Sequence, residues 1–268
     1  MKYKICSDWH QLWNDWRDKF ISRRSNFLIS TSSNLKKMIV SVSGVNENKI
    51  LIAYGGVNLD DFENKTRPLF GWRANLKLSA SDFLVGYVGF YRTMGMSKGL
   101  DIMISALPLI PDKKVKMVFV GGRNAEIEDY KAQAKALGVL DRTIFVPAKP
   151  NNVIPAYEAS MDVLVIPYPD KPHFRDYGFP MKVYEYMASK RPIIYSNLPI
   201  IAEVLSDCAI SFEPGNERDL AQKIEGLVSE PQNGIDLAEK AFKKAENFTW
   251  RKRAEKITWF IDQNSRFS

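Results

Sequence analysis

Six short apolar runs, separated by patterns of helical period, constrain the fold more than any other feature of this chain. They are FLVGYVG (83–89), VKMVFVGG (115–122), TIFV (143–146), DVLVIP (162–167), RPIIYS (191–196) and AISF (209–212). Each run is apolar almost throughout, which is typical of strands covered on both faces. Helical patterns fill the intervals at about 98–108, 125–137, 152–160, 180–189 and 199–206, and three more follow from 216. The sequence therefore predicts an α/β fold with a doubly wound parallel sheet.

The first 77 residues differ from the rest of the chain. A pattern of helical spacing places six apolar residues on one side: Ile5, Trp9, Leu12, Trp13, Trp16 and Phe20. A second helix (SNLKKMIVSV), a strand (KILIAYGGV) and a polar linker around Asp60 to Arg67 follow. We expect this partial α/β segment to be too short for a sheet of its own. A tryptophan stripe is most often core, but this one could also face a missing domain, a second subunit or a membrane surface.

Composition sets broad limits on the class of protein. The chain has 268 residues, 45% of them hydrophobic and 26% charged, which is ordinary for a globular protein. It contains no apolar run long enough for a membrane span, so we expect a cytoplasmic protein, with peripheral membrane attachment left open. The two cysteines, Cys6 and Cys208, have no metal-ligand neighbours and indicate no disulfide framework. The net charge of +7 suits an anionic partner such as a nucleotide, a lipid headgroup or a polynucleotide.

The segment YGFPMKVYEYMASKRPIIY (177–195) predicts a ligand loop that leads into a helix and then a buried strand. Pro180 stands where the first helical residue is expected, because its fixed φ suits that position. Lys182 and Glu185 are three positions apart and therefore share one helix face. Near a helix N-terminus, such a pair can bind a phosphate and a sugar hydroxyl. The same spacing would also suit a solvated ion pair on a surface helix.

Two glycine-bearing loops follow predicted strands. The first, GFYRTMGMSKG, contains Arg92, Lys98 and Gly99, and the second contains Gly121, Gly122 and Arg123. Glycines allow a close approach of the backbone to a ligand, and the basic side chains could neutralise a diphosphate. Since parallel strands present their carboxyl ends at one rim, we expect the loops after Gly89, Gly122, Val146 and Pro167 to meet there.

Other kinds of site find little support in the sequence. Neither loop is a dinucleotide fingerprint or a P-loop, and the chain contains no D-x-D pair, H-E-x-x-H motif or G-x-S-x-G elbow. The sequence thus predicts no metal site and no serine nucleophile. His173 precedes the Pro180 helix and could be a surface residue or a substrate contact.

As a set, these motifs resemble the retaining glycosyltransferases of family 4, which have the GT-B fold of two facing Rossmann-like domains. The resemblance covers about residues 26–260. Its blocks are TSSNLKKMI, ILIAYGGVNLDDF, VGYVG with SKGLD, MVFVGG, DRTIFVPAK, IPAYEASMDVLVIPY, KVYEYMASKRPII and FTWRKRA. It implies that 1–77 is the remnant of an acceptor domain with its linker, 78–247 the Rossmann-like donor domain and 248–268 a C-terminal helix.

The resemblance also implies roles for individual residues. Arg92 and Lys98 would bind the donor diphosphate and act in catalysis, and Glu185 would bind the ribose hydroxyls. Gly121 and Gly122 would approach the nucleotide, and the backbone of Val146 and Pro147 would meet the base. The remaining donor-site residues would be Gly89, Gly178, Phe179 and Lys182.

This chain departs from the family pattern at several points. Tyr177 stands where the first glutamate of the family's pair is expected, with Asp176 as the nearest carboxylate, and Pro180 replaces a glycine. Both features match a branch with the block P-x-K-x-x-E-Y-M-A, in which Lys182 could supply charge to the sugar or phosphate. Most of the N-terminal domain, which usually supplies the acceptor site, is missing from this sequence. We therefore consider a truncated form, a natural short form and half of a split enzyme.

The implied activity is metal-independent transfer of a sugar, with retained configuration, in polysaccharide or glycolipid biosynthesis. The donor would be a nucleoside diphosphate sugar, with no other cofactor, and the acceptor a glycan or a lipid-linked molecule. One alternative is a non-catalytic module that binds a nucleotide sugar and works with an acceptor-domain partner, or as a homodimer through the tryptophan stripe. A nucleotide-sugar epimerase of the same architecture is a weaker alternative. No nucleic-acid-binding motif accompanies the basic charge, so we expect no nucleic-acid partner.

Overall fold

The N-terminal part of the chain forms a small parallel sheet. The computed structural model describes residues 3–65, 72–76 and 78–265. The elements of this part are β1 (Cys6–Trp9), α1 (Trp16–Arg24), β2 (Phe27–Ser30), α2 (Ser33–Ser43), β3 (Ile50–Ile52), α3 (Leu59–Lys65) and α4 (Trp72–Asn75). Strands β1, β2 and β3 pair in that order, all in parallel. The prediction that this segment is too short for a sheet of its own is therefore wrong.

The predicted helix at the start of the chain is replaced by a strand, a loop and a shorter helix. Asp15 caps α1, and the Asp18 carboxylate accepts backbone N–H groups from Trp13 and Asn14. These contacts satisfy the free donors at the helix start and fix the loop before it. Trp9 is 3% exposed, whereas Trp13 is 44% and Trp16 71% exposed. The three tryptophans therefore do not form one buried stripe.

The predicted linker also differs from the structure. Residues 59–65 form helix α3 rather than an irregular linker. Thr66 and Arg67, the end of the predicted linker, lie outside the described residues.

The larger sheet has the predicted strands in a doubly wound order. Its elements and connections are β4 (Phe83–Val88), β5 (Arg92–Thr93), β6 (Met96–Ser97), α5 (Leu100–Ala106), β7 (Val115–Gly122), α6 (Asn124–Ala136), β8 (Thr143–Pro147), α7 (Ile154–Ala159), β9 (Val163–Ile166), α8 (Lys182–Ala188), β10 (Ile193–Ser196), α9 (Pro199–Leu205) and β11 (Ile210–Phe212). Six parallel strands pair in the order β11-β10-β9-β4-β7-β8. Strands β5 and β6 form a short antiparallel hairpin outside it. The prediction of a doubly wound α/β fold is confirmed.

Burial on both faces explains why these strands have no polar alternation. Along β4, Leu84, Val85 and Tyr87 are 0% exposed, and all four residues of β9 are equally buried. The strand order reverses between β4 and β9. The strands that pair beyond β4 are β7 and β8, and those that pair beyond β9 are β10 and β11. At such a reversal the connecting loops separate and leave a crevice at the carboxyl ends of the strands.

Three helices complete the chain: α10 (Glu217–Ser229), α11 (Pro231–Ala245) and α12 (Trp250–Ser265). Helix α12 returns to the small sheet, where Phe260 packs against Phe27 with ring centroids 6.0 Å apart. The carboxylate of Glu203 on α9 accepts the backbone N–H of Ser33 at the start of α2, at 3.0 Å, and also the Tyr54 hydroxyl. These contacts hold the small sheet against the rim of the larger one.

Candidate functional site

A cavity of about 570 Å³ lies between the two sheets, at the carboxyl ends of β4, β7 and β9. The larger sheet and its loops contribute Val88, Gly89, Phe90, Thr93, Lys98, Gly121, Ala148, Lys149, Asn151, Ile154, Tyr168, His173, Phe174, Tyr177, Gly178, Phe179, Pro180, Met181, Lys182 and Glu185. The small sheet and helix α12 contribute His10, Gln11, Thr31, Gly55, Trp250 and Arg253. The cavity thus opens at the rim where the sequence predicts the ligand.

The structure brings together seven of the predicted site residues. Lys98, Gly89, Gly121, Gly178, Phe179, Lys182 and Glu185 all line the cavity. They come from three separate parts of the chain, at 89–98, at 121 and at 178–185, and the sheet topology brings these parts together. The predicted meeting of strand-end loops is what produces this arrangement.

Lys182 lies beneath the turn that follows β4. It is 7% exposed, and its Nζ donates a hydrogen bond to the Val88 carbonyl at 2.9 Å. The same Nζ lies 3.5 Å from the centroid of the Tyr87 ring. A Cβ atom on Gly89 would approach Nζ to 2.8 Å and displace this amine, and the φ of +133° also favours glycine at this position. Lys182 therefore connects α8 directly to the end of β4.

Burial shifts the pKa of three of the ionisable groups that line the cavity, Lys182, Lys98 and Glu185. The pKa of Lys182 is lowered well below its usual value by burial and by repulsion from Lys98, while Glu185 and Glu158 oppose the shift. Burial also lowers the pKa of Lys98. The pKa of Glu185 is raised by burial, against the attraction of Lys182. Within the described residues, neither the Lys98 nor the Glu185 side chain has a hydrogen bond or ion pair. Both are available to a ligand.

Four predicted residues lie elsewhere. Arg92 forms an ion pair with Asp129 at 3.1 Å on the outside of α6. Gly122 packs against the Tyr91 ring, Val146 is buried within β8, and Pro147 is exposed. None of the four lines the cavity described above. Their assigned contacts to diphosphate, nucleotide and base stay predictions.

The start of helix α8 also differs from the prediction that Pro180 is its first residue. Helix α8 begins at Lys182, two residues after Pro180. A π-helical turn at His173–Tyr177 precedes it, and the N–H of Gly178 donates to the His173 carbonyl at 2.6 Å. Pro180 accepts a hydrogen bond from Val183 through its carbonyl and is not itself a helical residue. His173 lines the cavity, where burial lowers its pKa with a further contribution from Lys98.

The sequence analysis missed several lining residues. Tyr168 directly follows β9, so the rule that strand ends share one rim could have identified it. Trp250 and Arg253 come from α12, and no local sequence signal connects them to the cavity. Arg253 donates to both carboxylate oxygens of Asp8, at 2.8 and 2.9 Å, and Asp8 in turn lies 3.7 Å from the His10 ring nitrogen.

One buried carboxyl group lies close to this site without lining it. Glu158 on α7 is 0% exposed, and neither of its carboxyl oxygens has a hydrogen-bond partner among the described residues. Burial raises its pKa well above the usual value, and Glu185 adds to this shift while Lys182 opposes it. Glu158 was not singled out in the sequence because a glutamate in a helical pattern indicates an exposed face.

The described residues contain no group of three or more histidine, cysteine, aspartate or glutamate side chains that could hold a metal ion. They also contain no helix that is both long and apolar enough to cross a membrane.

The chain is similar to known proteins in its fold and in its sequence. The fold matches those of GT-B glycosyltransferases, including Anabaena Alr3699/HepE in complex with UDP (TM-score 0.81, 18% identity, 97% of this chain and 72% of that one). The sucrose-phosphate synthase tll1590 from Thermosynechococcus elongatus is also similar (TM-score 0.79, 20% identity, 100% and 69%). Residues 82–230 match the family described as glycosyl transferases group 1, so the chain belongs to that family.

Curated relatives cover much of the chain at low identity. The D-inositol 3-phosphate glycosyltransferase of Rhodococcus jostii (strain RHA1) is 25% identical over 242 residues, which is 86% of this chain and 51% of that protein. The protein named "Uncharacterized glycosyltransferase MJ1607" of Methanocaldococcus jannaschii is 23% identical over 209 residues, which is 76% and 51%. The chain spans about half the length of these relatives.

Proposed function

We propose that this chain carries the donor site of a glycosyltransferase and holds a nucleoside diphosphate sugar. The diphosphate would lie between Lys98 and Lys182, and the ribose hydroxyls would contact Glu185. The observation that carries this proposal is the convergence of these three side chains on one cavity at the carboxyl edge of the parallel sheet. The neighbouring structures that contain UDP or UDP-glucose support the same class of ligand.

The charges of the site suit an anionic ligand with hydroxyl groups. Two lysines whose charged forms are disfavoured by burial gain most from a diphosphate, because its negative charges replace the lost hydration. A carboxylate without a partner can accept hydrogen bonds from two neighbouring hydroxyls, each worth about 1.5–3 kcal/mol. A nucleoside diphosphate sugar supplies both features in one molecule.

The small sheet faces this donor region and would border the acceptor. His10, Gln11 and Thr31 line the cavity from that side. We propose that an acceptor hydroxyl, on a glycan or a lipid-linked molecule, attacks the anomeric carbon from the face that the diphosphate leaves. The new C–O bond forms as the bond to the phosphate oxygen breaks, and the acceptor proton passes to that oxygen. The configuration is then retained, and no metal is needed if Lys98 and Lys182 stabilise the leaving group.

A second candidate is a nucleotide-sugar-binding module that works with a partner polypeptide or a second copy of itself. Trp13, Trp16 and Phe20 favour it, because these side chains of α1 and of the loop before it are 44%, 71% and 48% exposed. Exposed aromatic groups of this kind are common where proteins meet.

Product analysis separates these possibilities. The chain is incubated with UDP-glucose or GDP-mannose and simple sugar acceptors, with either EDTA or Mg²⁺, and products are followed by proton NMR. We expect release of the nucleoside diphosphate in EDTA and an α-linked product from an α-linked donor. A β-linked product would contradict retention, and turnover only with Mg²⁺ would contradict metal independence. Donor binding without any turnover would favour the binding module.

A further inference from the structure

The Lys182 amine is enclosed by groups from three parts of the larger sheet domain. Strand β4 supplies the Val88 carbonyl and the Tyr87 ring, and the Tyr168 ring after β9 lies 5.9 Å from Nζ. On its own helix, the Tyr186 ring lies 5.8 Å away. The charged or titratable groups that act on it are Lys98, Glu185 and Glu158. In the part of the chain that the structure describes, no carboxylate lies within ion-pair distance of Nζ.

Glu158 does not supply the missing counter-charge. Its side chain is 0% exposed, and both carboxyl oxygens lack hydrogen-bond partners within the described ranges. An ionised carboxylate in such a place has neither water nor a donor to stabilise it, so the neutral acid is favoured. The nearby Glu185 adds to this preference. Lys182 thus faces one buried acid that stays protonated and one carboxylate that a ligand would engage.

We propose that Lys182 is uncharged while the cavity is empty and takes up a proton from solvent when a diphosphate ester binds, so that donor binding is linked to protonation. Glu158 stays protonated in both states. This inference rests on the proposed donor site and adds that the protonation state of Lys182 changes when the donor binds. It makes Lys182 a switchable cation, in contrast to an arginine that would be charged at all times.

Four effects decide the charge of Lys182. Burial and the repulsion from Lys98 lower its pKa, whereas Glu185 and the face of the Tyr87 ring favour the ammonium form. In the empty cavity the first two dominate. A bound diphosphate neutralises Lys98 and so weakens the repulsion, and its negative charge beside Nζ compensates for the cost of burying the ammonium group. Because the bound state holds more protons than the free state, affinity falls as pH rises, by up to about tenfold per pH unit.

The first step of the test needs no ligand. The protein is labelled with ¹³C at the lysine ε-carbons, and each resonance is followed by NMR as pH is raised. We expect one lysine to titrate at a lower pH than all others and its resonance to disappear in Lys182→Met. If the resonance lost in Lys182→Met titrates together with the surface lysines, the proposal is overturned.

The second step adds UDP-glucose, whose diphosphate has no proton to exchange in this range. We expect the Lys182 midpoint to move upward, and calorimetry in two buffers of different ionisation enthalpy to give uptake of about one proton per ligand at a pH between the two midpoints. If UDP-glucose shifts the Lys98 resonance but not the Lys182 midpoint, the linkage is wrong and the donor site stands. If no lysine responds to any nucleotide sugar, the donor site itself is contradicted.

Glu158→Gln provides the matched control. Glutamine has the same shape as the neutral acid, so the variant should fold and keep the proton uptake of the parent protein. Loss of the uptake in Glu158→Gln would show that Glu158, and not Lys182, is the group that gains the proton from solvent, and absence of net uptake in the parent protein would indicate an internal transfer from Glu158; either result would overturn the proposal. The pH dependence of affinity in the unmodified protein tests the same point without any substitution.

Discussion

Replacing Lys98 with methionine tests whether the cavity binds a diphosphate. Lys98 lines the cavity, and its side chain makes no hydrogen bond or ion pair within the described residues. The substitution therefore breaks no hydrogen bond or ion pair of the fold and removes only a contact of Nζ with the Tyr168 ring, 5.9 Å from its centroid, so we expect the free energy of unfolding to change by less than about 1 kcal/mol. A charge-assisted hydrogen bond to a phosphate oxygen is worth about 1.5–3 kcal/mol. Lys98→Met should thus weaken UDP binding by about 10- to 150-fold and leave uridine binding unchanged.

Calorimetric titration of UDP and uridine measures this difference directly. Lys131→Met is the matched control, because it removes the same charge from an exposed site on α6 where Lys131 pairs with Glu128 at 2.9 Å. It should leave both affinities unchanged. Equal losses for UDP and uridine would refute a phosphate contact at Lys98. A loss as large in Lys131→Met would show that net charge, and not a local contact, determines binding.

Three further predictions concern stability. Gly99 has φ +87°, and a Cβ there would lie 1.7 Å from the Pro167 carbonyl oxygen, so Gly99→Ala should lower the free energy of unfolding in urea by more than about 2 kcal/mol. The control Gly138→Ala has a similar φ of +67° but open space around the Cβ, so it should cost about 1 kcal/mol. Equal costs would contradict the close approach at Gly99. The raised pKa of Glu158 means that the folded state binds more protons than the unfolded state, so the contribution of Glu158 to the free energy of unfolding falls as pH rises. Glu158→Gln should therefore match the parent near pH 4 and be more stable at pH 7. A variant that is less stable than the parent at pH 7 would contradict this. Glu203→Ala removes hydrogen bonds to the start of α2 and to Tyr54, so it should lower the free energy of unfolding by about 1.5–3 kcal/mol. An unchanged free energy of unfolding would show that this link between the sheets does not stabilise the fold.

Much of the larger sheet follows from local sequence. A strand covered on both faces must be apolar throughout, and such runs mark β4 and β9 without any knowledge of their neighbours. The same reasoning failed for the N-terminal segment, because Trp9 and Trp16 keep a helical spacing although Trp9 ends strand β1 and Trp16 begins the capped helix α1. There the Asp15 and Asp18 hydrogen bonds override the periodicity, and these are side-chain contacts that a hydrophobic pattern does not contain.

The candidate site shows a similar division. The loops after parallel strands could be placed at one rim from topology alone, and Lys98, Lys182 and Glu185 do meet there. Arg92 was assigned by its position in a loop, but its direction depends on the short β5–β6 hairpin and on the nearby Asp129. Trp250 and Arg253 reach the cavity only because α12 packs back on the small sheet, a long-range contact with no local signal.

The central claim is that Glu185, which lines this cavity, binds the ribose of a nucleotide donor. The most direct measurement is calorimetric titration of the parent chain and Glu185→Gln with UDP, GDP and ADP in EDTA. We predict that the parent binds one of these nucleotides in preference to the others and that Glu185→Gln weakens it by about 10-fold or more, together with the corresponding nucleoside. Absence of binding to all three, or unchanged affinity in Glu185→Gln, would contradict the proposed donor site.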